Sequence, residues 1–157
     1  MHRYLADLLE WYCGEVGGEA FFAALARDTG DVELASKWRA LAELEQHVAA
    51  KVRAALEARG VPVPAEPTEL QQRGLDSARK YLGLSWQEAL SRLRPELVGY
   101  VREFQAAESR MPEELLPLAR FVTAHEQALL EFAIRELDHG GERSLDDVFR
   151  LMGEPLP

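Results

Sequence analysis

The stretch GVPVPAEPTELQQRGLDSARKYLG, residues 60–83, lies between two long helical hairpins and decides how the chain can fold. The prolines within residues 61–67 favour an extended connection, because proline fixes φ and removes a backbone donor. Thr68, with Gln71 three residues later, then predicts a capped helix that ends near Leu82. Such a connection can travel ~45–50 Å, whereas a helix of about 28 residues is only ~42 Å long. The chain can therefore cross a whole bundle here.

Helical periodicity predicts two long helices before this connection. The first runs from about Tyr4 to Arg27, although its interior glycines each cost ~1 kcal/mol relative to alanine. The second runs from about Val32 to Arg59, with Asp31 as a candidate N-cap and Gly60 as the C-terminal stop. The short turn between them predicts an antiparallel hairpin.

A third long helix follows the connection. Ser85 and Glu88 have the spacing of a capping box, and the apolar pattern continues from there to about Glu108. Pro95 lies inside this helix, and we expect a kink there because proline cannot donate to the preceding turn.

The fourth long helix begins at Pro112, a residue type favoured at the first helical position, and ends near His139. Pro117 predicts either a bend in this helix or a delay of one turn before its regular part begins. A short C-terminal helix, capped by Ser144 with Asp147, then returns to the bundle.

The composition limits the function classes. The 157 residues are 47% hydrophobic and 29% charged, which is typical of one globular domain, residues 1–157. A net charge of −9 argues against nucleic-acid binding, and no apolar run reaches the ~20 residues of a membrane span. Cys13 is the single cysteine, which excludes an internal disulfide. The first residues do not have the pattern expected of a secretion signal. We therefore expect a cytoplasmic protein that binds neither nucleic acid nor membrane.

Acidic and histidine side chains interrupt the apolar stripes of these helices. Glu15 and Glu19 lie on the first helix, Glu45 on the second and His125 on the fourth. Glu15, Glu45 and His125 are each about 15 residues, or ~22 Å, from their own interhelical turn, which is the midplane of a ~42 Å bundle. Glu96 on the third helix falls at the same level. Because a buried carboxylate is costly, a metal ion is one way to satisfy these groups.

The acids of the first two helices, the long crossover and the adjacent pair His125-Glu126 resemble the ferritin-like superfamily, including rubrerythrin-like di-metal carboxylate four-helix bundles. The resemblance implies an all-α fold in which two antiparallel hairpins are joined by a crossover containing an extra helix. It also implies two iron or manganese ions that react with oxygen species, bound by a glutamate and a Glu-x-x-His motif from each half.

The ligand motif of that family is half present. Glu15 or Glu19 matches the first glutamate, and Glu45 matches the glutamate of the first Glu-x-x-His, where Val48 replaces the histidine. Three residues before His125 the chain has valine rather than glutamate. The candidate metal ligands are therefore Glu15, Glu19, Glu45, Glu96, His125 and Glu126.

Three interpretations remain open. The first is a redox protein that binds iron or manganese, with its small-molecule substrate unknown. The second is a non-enzymatic bundle whose metal site has decayed and which acts as a dimerisation or partner-binding module; a homodimer is plausible for an acidic chain with long helices. The third is a resemblance to DinB-like bundles, which bind a metal through three histidines. His47 and His125 match two of these, but Leu129 occupies the third position.

Overall fold

The computed structural model describes residues 2–153, and within them the regular structure is helical, without strands. The predicted all-α class is therefore confirmed for this part of the chain. The α-helices are α1 (Arg3–Asp28), α2 (Val32–Ala58), α3 (Thr68–Arg79), α4 (Trp86–Glu108), α5 (Leu116–Asp138) and α6 (Asp146–Met152). None of them combines the length and apolar character needed to cross a membrane.

The chain divides into two compact units, Met1–Leu82 and Gly83–Pro157. In the first unit α1 packs against α2 and α3, and in the second α5 packs against α4 and α6. Each unit thus contains one of the predicted helical hairpins, α1–α2 or α4–α5. The four-helix bundle and the single domain over residues 1–157 stay predictions.

The turn between α1 and α2 has the predicted chemistry. The Asp31 side chain accepts a hydrogen bond from the backbone N–H of Leu34 at 3.0 Å, which satisfies a donor of the first turn of α2. At the other end Gly60 has a φ of +73°, a left-handed conformation that favours glycine. Both predicted boundaries of α2 are therefore confirmed to within about one residue.

Helix α3 lies directly on the backbone of α1. A Cβ added at Gly74 would lie 2.2 Å from the carbonyl oxygen of Gly17 and 2.9 Å from the Cβ of Ala20. The two helices can approach this closely because Gly74 has no side chain. A Cβ at Gly17 would meet only the carbonyl oxygen of Leu70, at an ordinary 3.5 Å, so the requirement for glycine lies in α3.

Two details of α3 differ from the sequence-based expectation. Pro67, not Thr68, occupies the N-cap position, and the structure has no side-chain cap there. The helix ends at Arg79 rather than Leu82, and the following turn includes Gly83 at a φ of +80°. Tyr81 in this turn packs edge-on against Phe21, with ring centroids 5.1 Å apart. The aromatic contact places this turn against α1, which local periodicity does not reveal.

Helix α4 begins with the predicted capping box. The Ser85 hydroxyl accepts from the backbone N–H of Glu88 at 3.1 Å, and the Glu88 carboxylate accepts from the backbone N–H of Ser85 at 2.9 Å. The helix continues through Pro95 to Glu108. Tyr100 has the helical spacing of a core residue, which predicts burial, but it is 46% exposed.

The start of α5 decides between the two alternatives for Pro117. A 3₁₀ turn, Glu113–Leu115, follows Pro112, and the α-helix begins at Leu116 with Pro117 in its first turn. The missing N–H of proline costs nothing there, because first-turn donors have no intrahelical acceptor. The regular helix is therefore delayed by one turn.

The predicted cap of the C-terminal helix is wrong. Leu145 occupies the N-cap of α6, and the Ser144 hydroxyl instead donates to the Glu136 carboxylate at 2.7 Å. The same carboxylate accepts from the indole N–H of Trp86 at 3.1 Å. Glu136 thus ties the start of α4, the end of α5 and the segment before α6 together.

Candidate metal centre

Glu15 and Glu45 are buried glutamates on the facing helices of the first unit's hairpin. Glu15 on α1 is 2% exposed and Glu45 on α2 is 4% exposed. Helical spacing places Glu15 on the same face as Tyr12, and Glu45 on the same face as Leu41, and both neighbours are buried. Glutamate is among the residue types least often buried, because desolvation of its charge costs several kcal/mol unless other groups compensate.

The carboxylate of Glu45 lies against α1. A Cβ added at Gly18 would be 2.7 Å from its Oε1 and 3.0 Å from its Cδ. Glu19, the next residue of α1, is half-buried, and its pKa is raised by burial and, second, by the negative charge of Glu45. Negative charge is therefore concentrated in this part of the hairpin.

The second unit buries one imidazole completely. His125 on α5 is 0% exposed, and its Nδ1 hydrogen-bonds the backbone carbonyl oxygen of Val122. Because a carbonyl oxygen can only accept, Nδ1 must donate, and in the neutral ring the lone pair then lies on Nε2. The ring of Phe104 packs beside the imidazole, with centroids 6.1 Å apart.

Glu126 is the neighbour of this histidine in sequence and in space. Its carboxylate is buried, and its Oε1 lies 3.6 Å from Nε2 of His125. That separation is too long for a hydrogen bond. It is close to the ~3.3–3.5 Å between two ligand atoms that each bind one tetrahedral metal ion at ~2.0–2.1 Å.

The remaining candidates differ in burial. Glu96 is exposed on α4, so its carboxylate carries little of the desolvation cost that makes a metal favourable. His47 is half-buried, and its pKa is lowered by burial and, second, by the charge of Lys51. These two residues therefore have weaker support as ligands than the buried acids.

Among the described residues, three buried charged residues were missed as functional candidates, namely Asp7, Lys51 and Glu136. Lys51 on α2 is 3% exposed, although lysine in a helical pattern normally indicates the solvated face. Glu136 interrupts the apolar stripe of α5 in the same way as His125, but its carboxylate is satisfied by Trp86 and Ser144. An interrupted stripe thus identifies buried polar groups without telling a ligand from a structural hydrogen bond.

Glu15, Glu45 and His125 are all buried, and each offers a donor atom that could bind a metal ion. Two carboxylates and an imidazole suit divalent first-row metals, such as iron, manganese and zinc. No protein-family model, curated protein or solved structure matches the chain.

Proposed function

We propose that this protein is a ferritin-like helical bundle that binds iron or manganese through Glu15, Glu45 and His125. The observation that carries the proposal is the almost complete burial of all three side chains. Buried ionisable groups are paired, hydrogen-bonded or bound to metals, and two carboxylates with one imidazole are a complete set of protein ligands for a metal with an open position.

The orientation of His125 supports a ligand role. Metal-binding histidines commonly donate their second ring N–H to a carbonyl or carboxylate, which fixes the tautomer. The Nδ1 hydrogen bond to Val122 has this form and presents Nε2 as the donor atom. Glu126, with its oxygen 3.6 Å from Nε2, is the next candidate ligand.

Charge in the first unit supports a cation as well. The pKa of Glu19 is raised by burial and, second, by the negative charge of Glu45, and the second cause means that the two carboxylates repel each other. A divalent cation bound by Glu45 would offset that repulsion. Glu19 is therefore a candidate for a further ligand or for a hydrogen-bonding neighbour of the bound ion.

Iron or manganese bound here would supply redox chemistry toward oxygen species. The protein would exclude water from the ion and would hold the ligand atoms of its side chains in position. Burial of Glu15 and Glu45 removes competing water, and the backbone carbonyl of Val122 holds the imidazole in one orientation.

Calorimetric titration of the metal-free protein with Mn²⁺ tests the proposal. We expect the wild type to bind Mn²⁺ and the variants Glu15→Gln, Glu45→Gln and His125→Gln to bind at least ~10-fold more weakly. Glu103→Gln, an exposed carboxylate on α4, is the matched control and should bind like the wild type. Circular dichroism checks that each variant folds. Absence of Mn²⁺ binding by the wild type, or equal binding by all variants, would overturn the proposal.

A non-enzymatic module for dimerisation or partner binding is the second candidate. Glu136 favours it, because this chain satisfies at least one buried carboxylate with protein donors alone. Under this alternative, replacing both Glu45 and His125 by leucine should raise the melting temperature. Mn²⁺ should then leave the melting temperatures of the wild type and the double variant unchanged. Under the metal function, Mn²⁺ should raise the melting temperature of the wild type and not that of the double variant.

A further inference from the structure

We propose that Gly18 is a positioning residue: the absence of a side chain there provides the space on α1 that holds the Glu45 carboxylate in its ligand position. The metal-binding part of this role rests on the proposed function. The geometry itself lies entirely within the α1–α2 hairpin of the first unit.

The contact involves the whole end of the Glu45 side chain. A Cβ added at Gly18 would lie 2.7 Å from Oε1, 3.0 Å from Cδ and 3.4 Å from Cγ of Glu45. Separations below about 3 Å are shorter than van der Waals contact between these atoms. Alanine at position 18 must therefore push the carboxylate away from α1, and a flexible glutamate side chain can make that movement without unfolding the hairpin.

The same helix contains a control position. Gly14 lies one turn before Gly18, and an added Cβ there would have no atom within 4 Å. Glycine weakens a helix relative to alanine at either position. Alanine at position 14 should therefore strengthen α1 freely, whereas alanine at position 18 must also displace Glu45.

A double-mutant cycle in metal-free protein tests the geometry. Gly18→Ala and Gly14→Ala are each made in the wild type and in a Glu45→Ala background, and melting temperatures are measured with a chelator present. Gly14→Ala should raise the melting temperature equally in both backgrounds. Gly18→Ala should raise it less, or lower it, in the wild type, and should match Gly14→Ala once Glu45 is truncated. Equal effects of Gly18→Ala in both backgrounds would overturn the proposal.

Mn²⁺ affinity tests the role of Gly18 at the metal centre. We expect Gly18→Ala to weaken Mn²⁺ binding by ~10–100-fold, the usual effect of disturbing a ligand's support, and Gly14→Ala to leave it unchanged. Unchanged affinity in Gly18→Ala, with normal binding by the wild type, would overturn the role of Gly18 alone. A wild type that does not bind Mn²⁺ would overturn the proposed function and the ligand-positioning role together, while the cycle would still report separately on the steric contact.

Discussion

The Ser144 hydroxyl donates to one oxygen of the buried Glu136 carboxylate, and we expect this contact to stabilise the second unit. Ser144→Ala leaves that oxygen without this donor. Hydrogen bonds to charged groups contribute about 1.5–3 kcal/mol, so we expect the free energy of unfolding of the variant to be lower than that of the wild type by this amount. Urea denaturation measures the loss.

Ser109→Ala is the matched control for Ser144→Ala. The Ser109 hydroxyl donates to the carbonyl of Ala106 on the exposed end of α4. Its removal should change the free energy of unfolding by less than about 0.5 kcal/mol. Equal losses in the two variants would show that the Glu136 contact has no special weight.

The raised pKa of Glu19 predicts a pH-dependent effect of substitution. Burial, and second the charge of Glu45, make the folded state hold the Glu19 proton more tightly than the unfolded chain does. The corresponding stability is fully present below the unfolded pKa and is lost as the pH rises through the raised pKa. Glu19→Gln cannot ionise, so its melting temperature relative to the wild type should be higher at about pH 7 than at about pH 4.

Thermal unfolding of both proteins across this pH range, with a chelator present, checks the prediction for Glu19. The chelator is needed because Glu19 is itself a candidate ligand. A difference between the two proteins that stays constant with pH, or that is larger in acid, would contradict it.

At the scale of elements, the approach of α3 to α1 depends on Gly74. The nearest atoms to an added Cβ are backbone atoms and a Cβ, namely Gly17 O, Ala20 Cβ and Phe21 N at 2.2–3.0 Å. None of these is the far end of a flexible side chain, so α3 must move away from α1. We expect Gly74→Ala to lower the free energy of unfolding by about 1–3 kcal/mol, the usual cost of overpacking.

Gly99→Ala is the matched control for Gly74→Ala. Gly99 lies in the interior of α4, and an added Cβ there has no atom within 4 Å. Alanine should therefore raise the free energy of unfolding by about 0.5–1 kcal/mol through helix propensity alone. A stabilising Gly74→Ala would show that the two helices separate without cost.

Elements that local chemistry determines were predictable from the sequence. Apolar periodicity, the Asp31 cap and the Ser85–Glu88 capping box predicted helices whose observed ends differ by a few residues at most. The error at Ser144 has a different origin. Its hydroxyl does not cap the following helix but donates to the Glu136 carboxylate, eight residues earlier and across a turn.

At the scale of the whole molecule, the sequence also predicted one part of the candidate site and not the other. Interrupted apolar stripes predicted that Glu15, Glu45 and His125 are buried, and the structure confirms this. Burial of Glu126 and exposure of Glu96 depend on packing, which a helical pattern does not specify for residues at the edge of a stripe. Because valines at positions 48 and 122 leave both expected Glu-x-x-His motifs incomplete, spacing alone predicts neither the metal nor its stoichiometry.

Metal content of the purified protein tests the central claim most directly. Wild type, Glu45→Ala and His125→Ala would be expressed in medium supplemented with iron and manganese and analysed by plasma mass spectrometry. We expect about one or two equivalents of iron or manganese per chain in the wild type and a loss of that metal in both variants. No bound metal in the wild type, or the same metal content in all three proteins, would contradict the proposed metal centre.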